Sequence, residues 1–211
     1  MWSRQEQQNE AVFIGNDICS LLNTWNVRGF LSPGYLKKAF TPAEVKYLQR
    51  TPDIISCAAL FWTCKESAYK IMVKEGYTGA FVPGKFFCRP TASNERYTWC
   101  TVFSESNIIY TKSRKNITFI ETVACTDFDY LESIKTGRRM ICRNDRETES
   151  NAAKDLLLKE IRQLTGVPAI ACRIEKKGTV PGLTINGRDS DIEISVSHDF
   201  PYIFVALMLK R

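Results

Sequence analysis

Two hydrophobic rhythms alternate along the 211 residues. The clearest helical period runs from Pro52 to Glu75, with Thr51 as the expected N-cap, Pro52 as the first helical residue and Gly76 as the stop. Such a helix is about 36 Å long. Ile55, Ala58, Ala59, Trp62, Tyr69, Met72 and Val73 recur on one apolar stripe. Cys57, Phe61, Cys64, Ala68 and Ile71 line a flank, and Ser56, Thr63, Ser67 and Lys74 form an expected polar arc. A second helical period covers Ala152–Thr165, carried by Leu156, Leu157, Ile161 and Leu164 and ended by Gly166. A short helix from Pro42 is announced by Thr41-Pro42-Ala43-Glu44, which has capping-box form and gives Glu44 a structural role.

Strand patterns occupy Ala11–Cys19, Tyr97–Phe103, Ile108–Thr111, Ile117–Val123, Ala169–Glu175, Leu183–Ile185, Ile192–Ser197 and Tyr202–Leu209. Met1–Glu10 reads as a frayed end, Leu21–Lys38 as helix and turn broken at Ser32-Pro33-Gly34, and Asp127–Arg146 as a charged, irregular loop. Each half thus sets a long helix among strands. The pattern predicts an α+β protein of two similar halves, residues 1–105 and 106–211, each a long helix on a small, mostly antiparallel sheet.

Composition narrows the class. Hydrophobic content of 44% and charged content of 25% fit an ordinary globular chain. No apolar run reaches the roughly 18 residues of a membrane span, and the polar start lacks a signal core, so a cytoplasmic protein with no membrane role is expected. Eight dispersed cysteines show no CxxC or Cys/His zinc spacing and read as reduced, mostly buried thiols. The net charge of +6 is shared evenly by the halves, which suits phosphorylated ligands or acidic protein partners rather than nucleic acid.

Four residues stand where chemistry would need them. Glu66 falls on the apolar stripe, where a carboxylate is costly unless a cation or donors meet it. Lys70 lies one turn on, so a solvated i,i+4 pair is the plain reading. Asp17 ends an apolar strand after Gly15, as a turn former would or as a metal ligand would. The one histidine, His198, ends another strand.

Gly15-Asn16-Asp17-Ile18, the Trp62-x-x-Lys65-Glu66-Ser67-x-x-Lys70 run and Ser195-Val196-Ser197-His198 together resemble the 4′-phosphopantetheinyl transferases. Phe40–Glu44 and Pro181–Leu183 support the match, which covers about residues 11–90 and 168–209. The resemblance implies transfer of the phosphopantetheine arm of coenzyme A to a serine of an apo acyl or peptidyl carrier protein, as a holo-[acyl-carrier-protein] synthase does in fatty acid or polyketide biosynthesis. It implies Mg²⁺ held by Asp17 and Glu66, and catalytic roles for Glu66, Lys70 and His198. Lys65, Lys70, Ser197 and His198 would contact coenzyme A. A monomeric pseudo-dimer would follow from the chain's length. Two departures stand out: the usual fused form places the histidine half first, and Cys19 occupies a position that often holds a second acid. They motivate an alternative, a catalytically silent relative that binds coenzyme A or a carrier. Lys37, Lys38 and the Arg138–Arg146 cluster are candidates for a carrier-docking rim. A basic RNA-binding protein is a weaker reading, since no RGG, KH or RNP-like run is present.

Overall fold

Everything is arranged around helix α3, Ile54–Lys74, in a computed structural model that describes residues 11–22, 29, 32–105 and 107–210. The N-terminal ten residues, and most of the expected helix and turn between Leu21 and Ser32, lie outside the described residues. Helices α1 (Pro33–Ala39) and α2 (Pro42–Leu48) lead into α3. The N-cap of α3 is Asp53 rather than Thr51, with Oδ1 accepting from the Ser56 amide at 3.1 Å. Asp is at least as good a cap as Thr and adds charge at the positive end of the helix dipole. At the other end Gly76 takes φ 99°, Gly76 N donates to Val73 O and Tyr77 N to Met72 O, a Schellman closure.

The first sheet is antiparallel throughout, in the order β1-β5-β4-β3-β2. Its strands are β1 (Ile14–Ser20), β2 (Phe87–Ser93), β3 (Tyr97–Phe103), β4 (Ile108–Lys115) and β5 (Phe119–Cys125). A boundary at residue 105 therefore needs correction. It would cut between β3 and β4, which are hydrogen-bonded neighbours, and the first unit runs on to Cys125. The second unit begins with β6 (Lys135–Met140), followed by α4 (Arg146–Thr165). Then come β7 (Cys172–Lys177), β8 (Val180–Ile185), β9 (Arg188–Asp189), β10 (Ile192–Asp199) and β11 (Tyr202–Leu209). The sheet orders are β10-β11-β6 and β7-β8-β9, with β8 lying against β10. In both units the first strand pairs with the last, and a long helix follows the first strand.

Two further expectations change. The charged stretch after Asp127 contains β6, because β11 offers it a partner along Tyr202–Leu207. Helix α4 starts at Arg146, six residues before Ala152, capped by Asp145 whose Oδ1 accepts from Thr148 N at 2.9 Å. The expected polar arc of α3 is also buried. Ser56, Thr63 and Ser67 face the sheet, where Thr63 Oγ1 meets Thr122 Oγ1 at 2.7 Å, so the hydroxyls are satisfied across the interface. Trp62, Glu66, Tyr69 and Val73, by contrast, lie on the half-exposed side. The predicted stripe is thus divided: Ala58, Ala59 and Met72 are buried in the core, while Trp62, Glu66, Tyr69 and Val73 form its more open edge.

Strand β1 is covered on both sides. Cys19 joins the core under α3, while Ile14 and Ile18 pack with Phe119, Val123, Tyr202 and Phe204. That second cluster, with Asn16 Nδ2 donating to Phe204 O at 2.9 Å, joins the two units. Lys74 adds a buried tie: its ammonium reaches Ile14 O, Ile194 O and Glu193 Oε1 at 2.8, 2.7 and 2.6 Å.

Candidate active site

The site begins with a missing side chain. A Cβ on Gly15 would sit 2.0 Å from Ser67 O, so only glycine lets β1 run this close to α3. Two residues on, on the same face of the strand, Asp17 meets the helix one turn past Glu66. Lys70 Nζ lies 3.2 Å from Asp17 Oδ1, 2.8 Å from Asn16 O and 3.8 Å from Glu66 Oε1. Asp17 is buried, and burial pushes its carboxyl well above the usual carboxylate range; Lys70 draws it back and the nearby Glu66 raises it further.

The second unit supplies the opposite wall. The β10–β11 hairpin places His198 and Asp199 at its tip, across from the end of β1. Asp199 Oδ2 accepts from Ser20 N at 2.8 Å, which stitches the hairpin to β1. His198 Nδ1 lies 3.5 Å from Glu149 Oε2 in the first turn of α4. Asp17, Glu66, His198 and Asp199 then line one open cleft of about 170 Å³, with Cys19, Tyr35 and Trp62. Tyr35 and Trp62 rings pack 5.7 Å apart in its wall. Beside it, sharing Glu66, runs an apolar groove of about 330 Å³ that includes Tyr69, Phe81, Val180 and Pro181.

Two carboxylates converging from a strand and a helix, faced by an imidazole, suit a divalent cation and a phosphorylated ligand. A family model for the 4′-phosphopantetheinyl transferase superfamily matches residues 13–124. The chain belongs to that superfamily. No curated protein matches it. Membership makes phosphopantetheine transfer the class of chemistry, with coenzyme A and a carrier protein as the family's partners. The matched span ends at the last strand of the first unit, so it contains Asp17, Glu66 and Lys70, while His198 and Asp199 lie beyond it.

Against the residues expected of a phosphopantetheinyl transferase, the structure brings Asp17, Glu66, Lys70 and His198 together. Lys65 is elsewhere, and its expected contact with coenzyme A is corrected. It is fully buried, and its ammonium is held by Glu44 Oε2, Ala39 O and Pro83 O at 2.7, 2.9 and 3.1 Å, so no donor is left for a phosphate. At i−1 from Glu66 it points about 100° away around the helix. Ser197 is also corrected: strand alternation turns it from His198 into the protein, where its Oγ is buried without a hydrogen-bond partner. Glu44 forms the expected capping box, through Thr41, and in addition carries the Lys65 pair.

Sequence reasoning missed two contributors. Asp199 directly follows the histidine strand, and Glu149 falls between the charged loop that ends at Arg146 and the helical period that begins at Ala152; neither is singled out by the pattern. Their signals were weak: an acid directly after the histidine, and an acid in the first turn of a helix that starts earlier than its apolar period. Cys19 does line the cleft, and burial, then Asp199 and Asp17, push its thiol up, which keeps it protonated.

Proposed function

We propose that this chain transfers the 4′-phosphopantetheine arm of coenzyme A to a serine hydroxyl of an apo acyl or peptidyl carrier protein and releases 3′,5′-ADP. The observation that carries this reading is the meeting of Asp17, Glu66 and His198, from three distant segments, along one cleft.

The donor set fits a hard divalent cation. Asp17, Glu66 and Asp199 place carboxylates along the same cleft, a donor set that suits such an ion. Mg²⁺ bound there would neutralise charge on the pyrophosphate of coenzyme A. Asp199 adds a third acid to the cleft that Cys19 also lines.

The serine oxygen attacks the β-phosphorus, and the bond to the 3′,5′-ADP phosphate breaks as the new P–O bond forms. Glu66, 30% exposed at its side chain against 6% for Asp17, is the carboxylate an incoming serine can reach, and it takes the serine proton. Lys70 holds Asp17 and Glu66 in register and adds a positive charge beside the phosphates. Glu149 Oε2 lies 3.5 Å from the Nδ1 side of His198, and the other ring nitrogen would meet a phosphate oxygen. The apolar groove beside the cleft receives the rest of coenzyme A.

Read this way, the two units are halves of a pseudo-dimer in a single chain, a reading supported by one shared pairing: in each, the last strand lies between the first and the one before it. Lys37 and Lys38 are exposed on α1, next to Tyr35 of the cleft, and suit an acidic carrier in the cytoplasm. In the Arg138–Arg146 cluster, Arg138, Arg139 and Arg143 already pair with Glu121, Asp155 and Asp145.

The test is a mass measurement. Purified protein with Mg²⁺ and coenzyme A should add one phosphopantetheine to an apo carrier, tried against fatty-acid, polyketide and peptide-synthetase carriers. Glu66→Gln should stay folded and lose the transfer. No mass gain on any carrier, together with tight coenzyme A binding by calorimetry, would favour the silent relative that Cys19 suggests.

A further inference from the structure

We propose that Cys64, Cys88 and Cys100 form a three-sulfur site for a soft, closed-shell monovalent cation, Cu(I), in the core of the first unit. The three come from α3, β2 and β3 and show no spacing motif, yet all their sulfurs lie within 4.8 Å of one another. They are at most 2% exposed. Bonds of about 2.3 Å at trigonal angles set sulfurs roughly 4 Å apart, so the cluster closes on an ion with a shift below about 1 Å.

The sulfurs sit beside hydroxyls. Thr111 Oγ1 lies 3.3 Å from Cys64 Sγ and 3.1 Å from Cys100 O, and Ser113 Oγ lies 3.5 Å from Cys64 Sγ. Both hydroxyls project from β4, so Cys64 is held from a third strand. The Lys65 ammonium, itself paired with Glu44, lies within electrostatic reach of Cys64 and Cys88.

The number and type of ligands choose the ion. Thiolates select Cu(I) over hard cations, and a structural zinc site wants four strong ligands. Here three sulfurs are closed in by hydroxyls and apolar side chains, an arrangement suited to trigonal coordination. Each sulfur that ligates as thiolate loses its proton to solvent as the ion enters. Cys57, two turns before Cys64 on the same face of α3 and only half-buried, gives a soft first contact on the way in. The bound ion would clamp α3 to β2 and β3 without touching the cleft. Nothing in this site depends on the transferase reading.

The full chain, reduced and kept free of oxygen, is titrated with Cu(I) against a chromophoric Cu(I) chelator. One ion should be retained, with an ultraviolet thiolate-to-copper band, three sulfur neighbours by X-ray absorption and a higher Tm. Cys88→Ala and Cys100→Ala should each weaken retention roughly 100-fold or more, and Cys142→Ser should leave it unchanged. If the alanine variants fail to fold, the sulfur count on the unmutated protein decides. The proposal is overturned by no retained copper, by fewer than three sulfur neighbours, by equal retention in a folded Cys100→Ala chain, or by a preference for Zn(II) in a four-coordinate shell.

Discussion

Gly15→Ala tests the geometry of the cleft without removing a reacting group. The added methyl would lie 2.0 Å from Ser67 O, 3.0 Å from Ser67 C and 3.3 Å from Ile71 Cγ1. The closest of these atoms is helix backbone, which cannot rotate aside as a side chain would. Carbon and oxygen settle at a separation above about 3 Å, so β1 and α3 must part by about 1 Å. The strand carries Asp17 and the helix carries Glu66 and Lys70, so the same movement opens the carboxylate pair. A displacement of that size costs about 100-fold in rate, or about 2.7 kcal/mol of transition-state stabilisation. Overpacking also costs about 1–3 kcal/mol of stability, which lowers Tm by roughly 2–12 °C for a chain of this length. The assay is kcat/KM for carrier modification over a range of Mg²⁺, with thermal unfolding alongside. Gly34→Ala is the control, since nothing lies within 4 Å of a Cβ there. Gly15→Ala protein with the parent's rate and Tm would refute the account of how β1 and α3 build the site.

Other changes give separate readings. Lys65→Met leaves the buried Glu44 carboxylate without its cation and should cost about 3–5 kcal/mol in denaturant unfolding; a loss below about 1 kcal/mol would return Lys65 to the list of phosphate contacts. Because burial raises the Asp17 carboxyl in the folded state, the folded protein holds that proton to higher pH than the unfolded chain does. Stability from this group is therefore present at low pH and falls as pH rises through the raised value. Asp17→Asn should flatten that fall and end transfer, and an unchanged pH profile of Tm would show that Asp17 is not the group responsible. Glu149→Gln should lower the rate less than His198→Ala does, and the two changes together should cost no more than His198→Ala alone, measured as a double-mutant cycle.

The chain's own order of residues determined a good deal. Periodicity located α3 and β10–β11, Thr41 and Glu44 announced their capping box, and Gly15, Asp17, Glu66 and His198 stood out because each violates the local pattern around it. Those are local properties, carried by neighbours within a turn or two. What lay outside sequence reach was set by contacts between distant segments. β6 exists because β11 pairs with it, and Lys65 turns inward because Glu44 waits there. Asp199 faces the cleft because Ser20 holds it, and three cysteines spread over 37 positions meet because α3 lies across β2 and β3. Helix α3 shows the division most clearly. Its spacing gave two candidate faces, one apolar and one hydroxylic. Only the presence of Thr122 and the second unit decided that the hydroxyls would be buried and that Trp62, Glu66 and Tyr69 would look out on the cleft and its groove.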